Sequence, residues 1–137
     1  MLRIGLNIPC NFINELRVNM KQILIIMSFI SMLFGTAQND AIKVLPVEEY
    51  KTQIEKGKIQ LVDVRTPDEY NSGHIKNAEN IDFFATSFES QFEKFDKEKP
   101  LYIYCRSGAR SRKASNKLAA MGFTEIYDLK GGYLNWK

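Results

Sequence analysis

The sequence predicts an α/β domain, a parallel sheet of about five strands with helices on both faces. Three observations carry that prediction. Short apolar runs alternate with segments of helical spacing along residues 41–137. One run, Leu101-Tyr102-Ile103-Tyr104, is apolar throughout, as a strand covered on both faces must be. Directly after it stands Cys105, ahead of a helical pattern, at the strand end where open α/β sheets keep their sites.

Each element has a local reason. Ala41–Leu45 is a short strand candidate, and Pro46 then opens a helix with Glu48 and Glu49 in its first turn, where acids suit the helix dipole. Gly57 is expected to end that helix. Ile59–Val64 is a second strand. Thr66, Pro67 and Glu69 then form the cap, first position and third position of a capping box, which predicts a short helix. Gly73-His74-Ile75 reads as a turn, and residues 78–81 as a brief strand. Phe84, Phe88, Phe92 and Phe95 recur at helical spacing, so Phe83 to Phe95 is expected to be a helix with an apolar stripe in the core. A helix from Arg110 to Met121 should bury Ala114, Leu118 and Met121 and end at Gly122. Glu125–Leu129 is the last strand, Gly131-Gly132 a turn, and Tyr133–Trp136 a terminal helical turn, with Tyr133 and Trp136 in the core.

The chain of 137 residues divides into a leader, residues 1–37, and one domain, residues 38–137. Lys21, the apolar run Ile23–Phe34 and the small residues Gly35-Thr36-Ala37 follow the order of a secretory signal with cleavage after Ala37. The run is short of the roughly 20 residues needed to span a bilayer, which disfavours retention as an anchor. Met20 makes a better start than Met1, because Met20-Lys21 forms a compact basic end. Export, to a periplasm, is the expectation. Processing removes Cys10 and leaves Cys105 as the one cysteine of the mature chain, so its sulfur has no partner for an internal disulfide. Of 19 Lys and Arg, three lie in the leader, as does one of 16 acids. The remainder is almost neutral and gives no support to a nucleic-acid or membrane-surface partner.

The segment Cys105-Arg106-Ser107-Gly108-Ala109-Arg110-Ser111 carries the chemistry. A cysteine ahead of a helix N-terminus, beside two arginines, has surroundings that favour a thiolate. Gly108 permits the tight backbone that gathers successive N–H groups around an anion. Arg106 and Arg110 add planar donors suited to a sulfonate, sulfate or phosphate oxygen, and Ser107 and Ser111 add hydroxyls. An inert buried cysteine would be flanked by apolar residues instead.

Four segments in order resemble the rhodanese family of sulfurtransferases over residues 42 to 137. They are Leu61–Tyr70 (LVDVRTPDEY), Gly73–Ile81 (GHIKNAENI), Tyr104–Ser111 (YCRSGARS) and Gly131–Trp136 (GGYLNW). The likeness is to the single-domain exported type, with Tyr133 where the family often has Trp. It implies the rhodanese fold and a persulfide relay. Cys105 takes the outer sulfur of an anionic donor such as thiosulfate, and a thiophile removes it: cyanide, or a thiol that is either small or carried on a protein. Such a relay is two-step covalent catalysis, and it implies neither metal nor organic cofactor. The loop Arg106, Ser107, Gly108, Ala109 and Arg110 would bind donor and persulfide.

Two other readings stand beside this one. Cysteine phosphatases share the fold but space cysteine and arginine as C-x5-R, whereas Arg110 falls at C-x4-R and the next position is Ser111. The shorter loop suits one sulfur better than a phosphate. The third reading is a low-turnover sulfur carrier or interaction domain. Asp63 and Arg65 end the second strand at the same sheet edge; Arg65 is expected either to pair with Glu69 or, with Asp63, to support the active loop. His74, the sole histidine, is expected to be structural, since a thiolate held by its loop needs no base.

Overall fold

The computed structural model describes residues 39–137. The leader expected over residues 1–37, with its start at Met20, its cleavage after Ala37 and its Cys10, lies outside the described residues.

Five parallel strands form one sheet in the order β1-β5-β4-β2-β3: β1 (Ile42–Leu45), β2 (Gln60–Asp63), β3 (Glu79–Asn80), β4 (Leu101–Tyr104) and β5 (Ile126–Leu129). The helices are α1 (Val47–Ile54), α2 (Pro67–Asn71), α3 (Phe88–Gln91), α4 (Ala109–Ala120) and α5 (Tyr133–Trp136). Strand β4 lies in the middle and its side chains alternate between two cores. Leu101 and Ile103 enter one core with Phe88, Phe92 and the α4 residues Ala114 and Leu118. Tyr102 and Tyr104 enter the other with Tyr50 of α1, Ile75 and Leu129. Both faces are therefore covered, and none of the four residues of β4 is exposed. No helix among the described residues is long and apolar enough to cross a membrane.

Local chemistry sets the ends. Thr66 Oγ1 accepts the Glu69 N–H while the Glu69 carboxylate accepts the Thr66 N–H, so the capping box closes as expected. At the other end of α4, Gly122 takes φ +99°, and the Gly122 and Phe123 N–H groups donate to Ala119 O and Leu118 O in a Schellman ending. Helix α1 already stops at Ile54 with Glu55 as its cap, so Gly57 lies beyond the helix end and does not terminate it as expected.

The phenylalanine segment departs from expectation. Only Phe88–Gln91 is helical, and Phe84 is 68% exposed. Short-range bonds compete with a continuous helix there: Asp82 Oδ1 accepts the Phe84 N–H, Ser90 Oγ donates to Ser87 O, and Phe92 and Phe95 donate to carbonyls three residues back. Phe88 and Phe92 still reach the core. Met121, Tyr133 and Trp136, expected inside, are only half-buried.

Candidate active site

Strand β4 delivers Cys105 to the carboxyl edge of the sheet, 1% exposed. The chain then turns through Arg106 and Ser107 to Gly108, whose φ of +101° makes it the left-handed cap of α4. That conformation aims the Gly108 N–H at Cys105 Sγ, 3.1 Å away. Ser111, one turn into α4 and fully buried, donates its hydroxyl to the same sulfur at 3.5 Å and lies 3.3 Å from Gly108 O. Two donors and the positive end of a twelve-residue helix thus converge on one sulfur atom.

The outer side of the loop is held by the end of the chain. The Tyr133 N–H donates to Cys105 O at 2.8 Å, and the Leu134 N–H to Arg106 O at 3.0 Å. Gly132 lies against this backbone so closely that a Cβ there would stand 2.5 Å from Cys105 O.

The arginines of the loop differ. Arg110 is half-buried and engages Glu69 with both Nη atoms at 2.7 Å. The Arg110 guanidinium, with the Thr66 N–H behind it, holds the Glu69 carboxyl down at about 2. The capping box of α2 and the first turn of α4 are therefore joined through one carboxylate. Arg106 is exposed and makes no ion pair among the described residues; it borders a cleft of about 230 Å³ with Arg65, Glu69, Tyr133 and Lys137. Ser107 and Ala109 are exposed on the loop.

Arg65 does not pair with Glu69 as one reading expected. It turns inward to Asp63, which is wholly buried and would otherwise be an uncompensated charge. Arg65 Nε donates to both Asp63 oxygens at 2.9 Å, Nη2 to Gly73 O at 2.7 Å, and the guanidinium stacks 4.2 Å from the Tyr133 ring. Asp63 and Arg65 touch neither Cys105 nor its donors within hydrogen-bonding distance. They fix the platform of Tyr104 and Tyr133 beside the loop. His74 is exposed, stacked on Tyr70 at 3.7 Å, with Nδ1 against Tyr70 O. Sequence reading did not single out Glu69 as the partner of Arg110, Gly132 as the clamp on the loop, or the buried Asp128. Of these, the tandem glycine directly after a parallel strand was the usable signal.

Comparisons with known proteins agree with this fold. The rhodanese-like domain model matches residues 46–137. The uncharacterised protein YqhL of Bacillus subtilis is 36% identical over 120 residues, which is 86% of this chain and 92% of that one. The thiosulfate sulfurtransferase GlpE of Coxiella burnetii is 38% identical over 84 residues, 61% of this chain and 77% of its own. Among solved structures, a rhodanese-like domain protein from Staphylococcus aureus superposes with a TM-score of 0.62 at 32% identity, over 69% of this chain and 91% of that one.

Proposed function

The chain belongs to the rhodanese-like family, and from that premise we propose that it is a sulfurtransferase working through a persulfide on Cys105. The observation that carries the reading is the sulfur cradle, in which Gly108 N–H and Ser111 Oγ both address Cys105 Sγ at the mouth of β4. In the first step the thiolate attacks the outer sulfur of an anionic donor such as thiosulfate; the sulfur–sulfur bond breaks and its electron pair leaves with sulfite. Cys105 then holds an extra sulfur as a persulfide anion, which the same donors stabilise. In the second step a thiophile, cyanide or a thiol, attacks that outer sulfur and releases the Cys105 thiolate. Arg106 meets the anionic donor from solvent, while Arg110, held by Glu69, sets the rear of the loop.

The partners in this proposal are a small anionic sulfur donor and a thiol acceptor, the latter either small or carried on a protein. The leader's order of basic, apolar and small residues supports export to a periplasm, cleavage after Ala37 and no lasting membrane insertion.

The test is mass spectrometry of the Cys105 peptide after thiosulfate treatment. A gain of one sulfur atom, discharged by cyanide or a thiol, is expected, and Cys105→Ser should abolish turnover. An unchanged mass, or full activity in the serine variant, overturns the mechanism. Rapid hydrolysis of para-nitrophenyl phosphate with no sulfur transfer would favour the phosphatase reading instead.

A further inference from the structure

Three large apolar side chains are exposed among the described residues: Val44 at 55%, Phe84 at 68% and Leu134 at 56%. Scattered singly over a surface, such residues would need no explanation. These three come from β1, the turn before α3 and α5, yet each adjoins the sulfur loop. Leu134 lines the cleft of about 230 Å³ that Arg106 borders. Val44 lines a second cleft, of about 240 Å³, together with Ser107 and Gly108. The Phe84 ring stands 5.9 Å from the Arg110 guanidinium. None of the three side chains belongs to the sulfur cradle.

Positive charge gathers at the same place. Arg106 and Lys137 line the first cleft, and Arg112 and Lys130 the second. All four are exposed and make no ion pair among the described residues. The carboxylates lining these clefts do not answer them: Glu69 is engaged by Arg110, and Asp128 is 3% exposed. The domain is almost neutral as a whole, so the basic mouth is a local excess that attracts negative charge.

We propose that this mouth is a docking surface for a protein acceptor that presents its cysteine on a projecting acidic segment with apolar neighbours. The inference names the acceptor of the sulfurtransferase reading and rests on that reading. The two clefts share no lining residue and Phe84 lines neither, so a small thiol seated in one leaves the rest uncovered. A segment of protein can cover all three apolar side chains. Cys105 is 1% exposed, and the sulfur to be passed on is the outer one, about 2 Å beyond Sγ. A thiol reaches into that recess when it projects from its own protein. A lipid surface would also meet cations and apolar side chains, but it brings no thiol and would seal the mouth. In the transfer the acceptor thiolate bonds to the outer sulfur, the bond from that sulfur to Sγ breaks, and its electron pair stays on Cys105 as thiolate. The acceptor leaves as the persulfide, with no outside oxidant or reductant.

For the test, full-length protein is loaded with thiosulfate, and loading is read by mass on the Cys105 peptide. Discharge is then timed with 2-mercaptoethanol, a small neutral thiol, and with three short synthetic peptides. Each peptide carries one cysteine between leucines, flanked by Asp and Glu, by Asn and Gln, or by Lys. The acidic peptide should half-saturate at about tenfold lower concentration than the neutral one, the basic peptide should be weaker still, and the preference should fade as salt is raised. Val44→Thr and Phe84→Ser, made together, should raise half-saturation by the acidic peptide about five- to tenfold. Arg112→Gln and Lys130→Gln, made together, should remove most of the acidic preference. Neither pair should change discharge by 2-mercaptoethanol. Equal use of the three peptides overturns the proposal, as does an acidic preference that survives both paired variants. Binding to phosphatidylglycerol vesicles that both pairs lose, with no preference among the peptides, assigns the face to a membrane and overturns it too. If a paired variant does not fold, the peptide series on wild type decides. Failure of the sulfurtransferase reading looks different: Cys105 gains no sulfur. Docking is then read without transfer, by fluorescence anisotropy of labelled serine versions of the peptides on Cys105→Ser, where the acidic one should still bind tightest and equal binding refutes the surface.

Discussion

Replacing Gly132 by alanine should damage the sulfur loop from behind, without touching any group that faces the sulfur. Gly132 sits at φ +63° and ψ −158°, a region essentially reserved for glycine, and an L-residue there costs about 1–3 kcal/mol. The added Cβ would stand 2.5 Å from Cys105 O and 2.6 Å from both the carbon and the oxygen of the Arg106 carbonyl. All three are backbone atoms, so no side chain can swing aside, and relieving such an overpacked contact costs about 1–3 kcal/mol more. The sum, about 2–6 kcal/mol, is a large part of the 5–15 kcal/mol that holds a typical domain together. If the turn yields, the Tyr133 and Leu134 N–H groups lose Cys105 O and Arg106 O; if the loop yields, Sγ leaves the Gly108 N–H. Denaturant unfolding and thiosulfate–cyanide turnover measured on one preparation separate the two outcomes. Gly131→Ala is the control: at φ +75° its Cβ meets only the side-chain amide of Asn135, which can rotate away, so it should lose about 1 kcal/mol and keep most activity. A Gly132→Ala protein as stable and active as wild type would refute this account of the clamp.

Other perturbations follow from the charges. Glu69→Gln should lower stability at neutral pH by about 1 kcal/mol, a discounted value because both partners are partly wet, and should weaken use of the donor by freeing Arg110. Because the fold holds the Glu69 carboxyl below its ordinary value, this contribution is present above about 4.5 and is lost as pH falls towards about 2; melting curves of the two proteins should converge in acid. Asp128 has the opposite sign. Its carboxyl is raised from 3.8 to about 6, so it favours the folded state in acid and loses that contribution as pH rises through about 6; Asp128→Asn should gain about 2–3 kcal/mol at pH 7 and nothing near pH 3, and unchanged denaturation midpoints at pH 7 would refute this. Asp63→Ala strands Arg65 in the interior and should cost about 3–5 kcal/mol, read as a large fall in melting temperature.

Much of the fold could be read from the chain because its signals are local and agree with one another. The capping box at Thr66, the continuous apolar run at Leu101–Tyr104 and the glycine ending α4 each specify their element within a few residues. The position of Cys105 between β4 and α4 needed only that alternation. What escaped depended on pairings distant in sequence or on competition between equals. The spacing of the phenylalanines suits a helix, yet Asp82, Ser87 and Ser90 turn the backbone locally and leave Phe84 outside. Glu69 stands four residues from Arg65 and 41 from Arg110, and proximity in sequence favoured the wrong partner. The sequence left Arg65 between Glu69 and Asp63, and its turn inward was not decided there because the burial of Asp63 is settled by the whole sheet.

The clamp that Gly132, Tyr133 and Leu134 place on the loop also bears on when the loop around Cys105 is assembled. Strand β5 is seated between β1 and β4, and Ile42 pairs with Ile126 across most of the domain's length. Closing so long a span is entropically slow, and non-local parallel pairing is a late event in folding. Until β5 docks, the Cys105 and Arg106 carbonyls lack the Tyr133 and Leu134 N–H groups that fix the turn. A nascent or partly opened chain therefore carries no finished sulfur loop. The loop is completed with the final pairing, which ties assembly of the candidate site to completion of the fold.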